Sequence, residues 1–231
     1  MRRQGPAPAR PAGTRAARHG GDDIRFWQTH SVKGFFAAAA VLVLVCGGLF
    51  LFFVKGLYLL PDKVCEGSVQ RDVVIRTLPQ ARAADQWAHH RGTGRDFMFD
   101  CTVSTSGDSI LSGRVNLWDV SKADWEQDYS DDPGTHVVRT SVGRVAGLAQ
   151  VDGDRGVASV YVPCEPKDTE AVTGPQALVA EVDVVGRSKA SGVALGQNLT
   201  DIAYQLTRHA HALECKGAGA FPGRLPRYED R

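Results

Sequence analysis

Residues 192–214 read GVALGQNLTDIAYQLTRHAHALE, and their spacing sets Leu195, Leu199, Ile202, Ala203, Leu206, Ala210 and Leu213 on one stripe of a helix. Asn198, Asp201, Gln205 and Arg208 fall on the opposite side. A helix this long and apolar on one side only needs a surface to lie on.

Strand-like segments upstream supply that surface. Phe97, Phe99, Cys101 and Val103 alternate with Met98, Asp100, Thr102 and Ser104, the period of a half-buried strand. Thr105 to Asp108 reads as a turn, and Ser109 to Val120 returns with Leu111, Val115 and Leu117 on one face, making a hairpin. From Thr135 the pattern is again strand-like but broken by glycine. Gly147 to Val151 and Val157 to Cys164 flank DGDRG, a turn signal, and Gln176 to Val185 alternates Leu178, Ala180, Val182 and Val184 with polar or smaller residues. Two short helices are expected as well. In one, Ser68 caps a turn bearing Val69, Val73, Val74 and Leu78 that Pro79 stops; in the other, Ser121 and Asp124 form a capping box ahead of Trp125, and Asp131-Asp-Pro-Gly ends it. The segment QARAADQWAHHRGTGR receives no assignment. The fold class is α+β: one transmembrane helix, then an antiparallel sheet of five or six strands packed on the long C-terminal helix.

The transmembrane helix is GFFAAAAVLVLVCGGLFLFFV, residues 34–54, which has no charged, amide or hydroxyl side chain. At about 1.5 Å per residue it makes roughly 30 Å of helix, the thickness of a bilayer's hydrocarbon core. Residues 1–33 carry seven basic side chains against Asp22 and Asp23, a net charge of +5, which leaves −4 for the rest. Arg18, Arg25 and Lys33 outnumber Lys55 and Lys63 beside the span, so the N-terminus is expected in the cytoplasm and the C-terminal domain outside it. A cleaved signal peptide is the competing reading. The apolar run is too long for one, begins too far into the chain, and is followed by no small-x-small site. Cys46 in LVLVCGG invites lipidation, but Val45 stands where a small residue belongs; a plain buried thiol is the alternative.

The other cysteines, Cys65, Cys101, Cys164 and Cys215, all follow the span. An even number in an exported domain is the pattern of a disulfide framework, and no C-x-x-C pair suggests a metal site. Three pairings are open. Cys65 with Cys101 and Cys164 with Cys215 is favoured, because each bond then ties one half of the domain. The halves look loosely alike, each with a helix, a hairpin and two cysteines, which raises a pseudo-repeat. The expected organisation is a disordered basic cytoplasmic tail (1–33), the transmembrane helix (34–54), a linker (55–64), a disulfide-stapled extracytoplasmic domain (65–215) and a flexible tail (216–231).

The Arg- and Pro-rich tail, the single anchor, Cys65-Glu-Gly67, Phe99-Asp-Cys101, Val162-Pro-Cys164 and Leu213-Glu-Cys215 together resemble a group of uncharacterised actinobacterial single-pass membrane-anchored extracellular proteins with a four-cysteine ectodomain. The resemblance covers residues 34–215 and implies no activity for any particular residue.

Candidate chemistry is sparse. Gly107-Asp-Ser109-Ile looks like the nucleophile block of GDS(L)-type hydrolases, yet Asp201-Ile-Ala-Tyr204 lacks the histidine of their D-x-x-H, and a turn is the ordinary use of such residues. His89 with His90, and His209 with His211, are too poorly spaced to share a metal and read as surface histidines. DGDRG lacks the remaining ligands of a calcium loop, and the Asn198-Leu-Thr200 sequon lies on a helix. A domain of net −4 argues against nucleic acid. The expectation is therefore a non-enzymatic binding or interaction module of the cell envelope, without cofactor or metal. Its partners are the bilayer through residues 34–54 and an envelope protein or wall ligand. The alternative is an envelope hydrolase using Ser109.

Overall fold

A computed structural model describes residues 32–54, 56–129, 136–168, 174–217 and 221–228. The tail expected over residues 1–33 lies outside them as far as residue 31, as does the Asp131–Gly134 helix stop. The first helix, α1 (Val32–Val54), is 23 residues long. The chain divides inside it, at Gly47–Gly48, into two units, each described by itself. In α1 the side chains described run from 34 to 49; nearly all are exposed, and Cys46 carries a free thiol that is exposed rather than buried. Among the described residues no helix is long and apolar enough to cross a membrane.

The second unit is built on an antiparallel sheet. After a 3-10 turn at Gly56–Leu59 come β1 (Lys63–Val64) and β2 (Val69–Gln70), a two-stranded hairpin, then α2 (Arg71–Thr77). The main strands are β3 (Ala84–Arg91), β4 (Met98–Thr105), β5 (Ile110–Trp118), β6 (His136–Val142), β7 (Val145–Asp152), β8 (Arg155–Pro163) and β9 (Ala177–Val185), with α3 (Lys122–Asp128) between β5 and β6 and α4 (Gly192–Glu214) last. They form one seven-stranded sheet in the order β3-β4-β5-β9-β8-β7-β6, rather than five or six strands. Two meanders thus meet along β5 and β9. Because α2 precedes its strands and α4 follows its own, the two halves do not repeat one another in order.

α4 lies over β8, β7, β9 and β5, with α2 packed beside it. Leu195, Leu199, Ile202, Ala203, Leu206 and Ala210 are all fully buried, as the stripe requires, whereas Leu213 is 38% exposed. Phe99, Cys101 and Val103 from β4 and Leu111, Val115 and Leu117 from β5 meet them on the same face of the sheet. Gly113 on β5 has to be a glycine for this packing: a Cβ there would lie 2.5 Å from Leu206 Cδ1. Cys65 is bonded to Cys101 and Cys164 to Cys215, so both disulfides lie on the α4 side, the second joining the end of β8 to the end of α4.

Three segments differ from expectation. Ser68 caps no helix: its hydroxyl donates to the Cys65 carbonyl at 2.6 Å, and α2 starts later, at Arg71, without a side-chain cap. Cys65, Glu66 and Gly67 all have positive φ, a left-handed turn that the disulfide and a Cys65 N–H···Gln86 Oε1 bond of 2.7 Å hold in place. The segment read as a linker belongs to the core, since Leu57, Leu60 and Val64 are buried. Gly56 passes so close to residues 81–83 that a Cβ would meet their backbone at 2.6 Å. At the other end, residues 221–228 are docked rather than loose. Leu225 is 2% exposed, Tyr204 Oη donates to the Pro222 carbonyl, and the Tyr228 N–H donates to Gln197 Oε1 at 2.9 Å.

Candidate functional site

Docking of the C-terminal segment creates a groove on the outer side of α4. Gln197, Asp201, Tyr204, Gln205 and Arg208 recur at helical spacing and form its floor. Val73 and Arg76 of α2 make one wall; Arg224, Leu225, Arg227 and Tyr228 make the other. Two adjoining depressions of about 480 and 350 Å³ share Arg76, Gln197, Asp201 and Arg227, so the groove is continuous.

Its amides are already committed to holding the walls. Gln205 Oε1 accepts from the Gln70 N–H at 2.8 Å, Asn198 Nδ2 donates to the Arg76 carbonyl at 3.4 Å, and Gln197 bridges Tyr228 and Asp201. Asp201 Oδ1 accepts from Gln197 Nε2 at 2.9 Å. Burial pushes the Asp201 carboxyl above its usual range, against the opposing pull of Gln197, Arg76 and Arg227. Arg76 pairs with Asp72 at 2.7 Å across one helical turn, with both side chains more than half exposed. Among the described residues Arg208, Arg224 and Arg227 form no ion pair. The groove therefore offers guanidinium groups free to meet an anion and one carboxyl able to meet a hydroxyl.

The candidates read from sequence fall elsewhere. Ser109 sits fully buried in the β4–β5 turn, and its hydroxyl has no hydrogen-bond partner among the described residues. Among the described residues no histidine reaches it, and its burial denies it the access a nucleophile needs. His209 and His211 do point apart, but neither is a surface histidine. His209 packs on Phe99 with ring centroids 5.1 Å apart and His211 on Phe221 at 5.0 Å, and burial lowers the pKa of both. His90 lies 3.6 Å from Glu66, and His89 stacks on Trp87. Among the described residues no group of three His, Cys, Asp or Glu side chains could hold a metal ion. The DGDRG segment is the β7–β8 turn, with Gly153 at φ 61°. Cys65, Cys101, Cys164 and Cys215 are consumed by the two disulfides.

Sequence reasoning placed Asp201 and Arg208 on the outer side of α4 but missed the groove, because it read the chain after Cys215 as a free tail. The signal was in FPGRLPRY, residues 221–228, where Leu225 stands among arginines and is flanked by Phe221 and Tyr228. One apolar residue held between aromatic ones marks a segment that packs. Compared with known families, curated proteins and solved structures, the chain matches none.

Proposed function

We propose that this chain is a single-pass membrane protein of the cell envelope whose disulfide-bonded domain lies outside the cytoplasm and acts as a binding module rather than a catalyst. The observation that carries the reading is the pair of disulfides, which consumes every cysteine after the apolar segment; such bonds persist in oxidising compartments. The sequence of residues 34–54 and the basic side chains before it supply the anchor and its orientation. Binding is supported by the groove on α4, whose lining among the described residues offers cations and one carboxyl. The partner is a wall component or an envelope protein, with the bilayer engaged through residues 34–54.

Labelling intact cells with a membrane-impermeant amine reagent tests this. Modification of lysines beyond residue 55, with all four cysteines of the domain resistant to alkylation until reduced, is the expected outcome. A domain that reacts only after the cells are broken, or that yields four free thiols, overturns the reading.

A further inference from the structure

Beyond residue 54 the chain carries a net charge of −4, yet Arg76, Arg208, Arg224 and Arg227 gather around one groove. Among the described residues only Arg76 of these forms an ion pair, and that pair is exposed enough to exchange for a ligand at small cost. Among the described residues Asp201 lines the groove and Asp72 stands beside Arg76, so the four cations exceed the carboxylates by two. A ligand bearing one carboxylate would leave half of that excess unmatched. A phosphate monoester, with a charge of about −1.5 to −2 near neutral pH, matches it better and takes guanidinium forks two oxygens at a time.

Asp201 decides what the phosphate is attached to. A carboxylate in an anion site repels a bare phosphate, but its Oδ2, which carries no hydrogen bond among the described residues, can bond a hydroxyl beside the phosphate. Burial raises the Asp201 pKa, against the pull of Gln197, Arg76 and Arg227. The two depressions have the volume of small-ligand sites.

We propose that the groove binds a phosphate ester of a polyol, its phosphate held among Arg208, Arg224 and Arg227 and a neighbouring hydroxyl held by Asp201. This rests on the binding-module reading and names its ligand. It is independent of which side of the membrane the domain occupies, so failure in the labelling experiment and failure here are separate results.

The full-length chain in an uncharged detergent is titrated calorimetrically with glycerol 3-phosphate, inorganic phosphate and glycerol. It is also sedimented with phosphatidylcholine vesicles with and without phosphatidylinositol 4-phosphate, whose headgroup is a polyol bearing a phosphate monoester. Saturable binding of glycerol 3-phosphate, weaker binding of inorganic phosphate and none of glycerol are expected. Arg208→Ala with Arg227→Ala weakens the ester about tenfold or more through loss of two charge-assisted contacts. Asp201→Asn narrows the gap between ester and inorganic phosphate. Retention on phosphatidylinositol 4-phosphate vesicles alone, lost in the arginine variant, assigns the ester to a lipid headgroup; binding of the soluble ester assigns it to a free one. Should the alanine variant melt below the parent, Arg208→Lys with Arg227→Lys keeps the charge and removes the forks, and several-fold weakening is expected. No saturable binding of any phosphate probe, or unchanged affinity in a variant that melts like the parent, overturns the proposal. Equal affinity for inorganic phosphate and the ester overturns the polyol assignment.

Discussion

On one face of the sheet α4 lays Leu195, Leu199, Ile202 and Leu206 across β5 and β7–β9, α2 packs alongside, and both disulfides lie on that side. On the other face the seven-residue α3 brings Trp125 and Tyr129 over Ala146, Leu148, Tyr161, Ala177 and Val179 and leaves β3–β5 open. There His89, Asp100, Arg114 and Glu181 stand directly opposite one another across four strands, Trp87 is 55% exposed and Trp118 is 39% exposed. The first face is held by area and covalent bonds. The second is held by a few directed polar contacts: Trp125 Nε1 donates to Ser159 Oγ at 2.9 Å, Tyr129 Oη donates to Glu181, and Gln150 Nε2 donates to the Tyr129 carbonyl at 2.8 Å. Stability and shape should therefore depend on the α4 side far more than on the α3 side.

The strongest way to break that difference is to open the second disulfide. Cys164→Ser with Cys215→Ser frees a loop of sequence separation 51 and should cost about 4 kcal/mol in denaturant unfolding of the oxidised chain. A loss below about 1 kcal/mol would mean that α4 is held by packing alone. Leu206→Ala comes next, at about 2–5 kcal/mol for a fully buried leucine. Gly113→Ala sharpens it, because the new methyl would sit 2.5 Å from Leu206 Cδ1. In Leu206→Ala that methyl enters vacated space, so the double variant should lose less than the sum of the single ones. Strict additivity would show that the two positions do not touch.

On the α3 face the comparable change is Trp125→Phe, which keeps most of the ring but removes the indole N–H that donates to Ser159 Oγ, leaving that hydroxyl to Tyr129. A loss of about 1 kcal/mol in denaturant unfolding is expected, and a loss as large as that of Leu206→Ala would mean that the two faces matter equally. The contrast between the faces also explains what could be read in advance. α4 was legible from Gly192 to Glu214 because its buried face is a continuous stripe, and β4–β5 because alternation with one covered face leaves an unmistakable period. β3 was not legible. It is an edge strand whose inward positions, Ala84, Gln86, Ala88 and His90, face the turn after α1 and the β1–β2 hairpin rather than a helix, so hydrophobic alternation is missing. The left-handed Cys65–Glu66 turn had no local signal either, since only Gly67 among the three favours positive φ and the bond to Cys101 is a contact across 36 residues. The groove stayed hidden for the same reason: its walls come from residues 70–76 and 223–228, brought together only when Leu225 is buried.

The smallest expected effect separates the two histidines of α4 from Asp183 by its sign. His209 and His211, on the α4 side, have pKa values lowered mainly by burial, with Glu66 opposing and His90 adding at His209, and Lys167 adding at His211. Their contribution to stability is complete above the unfolded-state value near 6.5 and is lost as pH falls through that value toward the folded one. Asp183, on the α3 side, is shifted the other way: burial first, then Glu181, raises its pKa. Its contribution is complete below the unfolded-state value near 3.9 and is lost as pH rises through the raised one. Acidification from pH 7 to 5 should therefore weaken the α4 side first, and His209→Gln with His211→Gln should flatten the melting temperature over that interval. Asp183→Asn should leave the interval from pH 7 to 6 unchanged and act only nearer the carboxylate range. If instead Asp183→Asn flattened the profile above pH 6 and the histidine variant did not, the pH response would belong to the open face, and α4 would not be the element whose loss unfolds the domain.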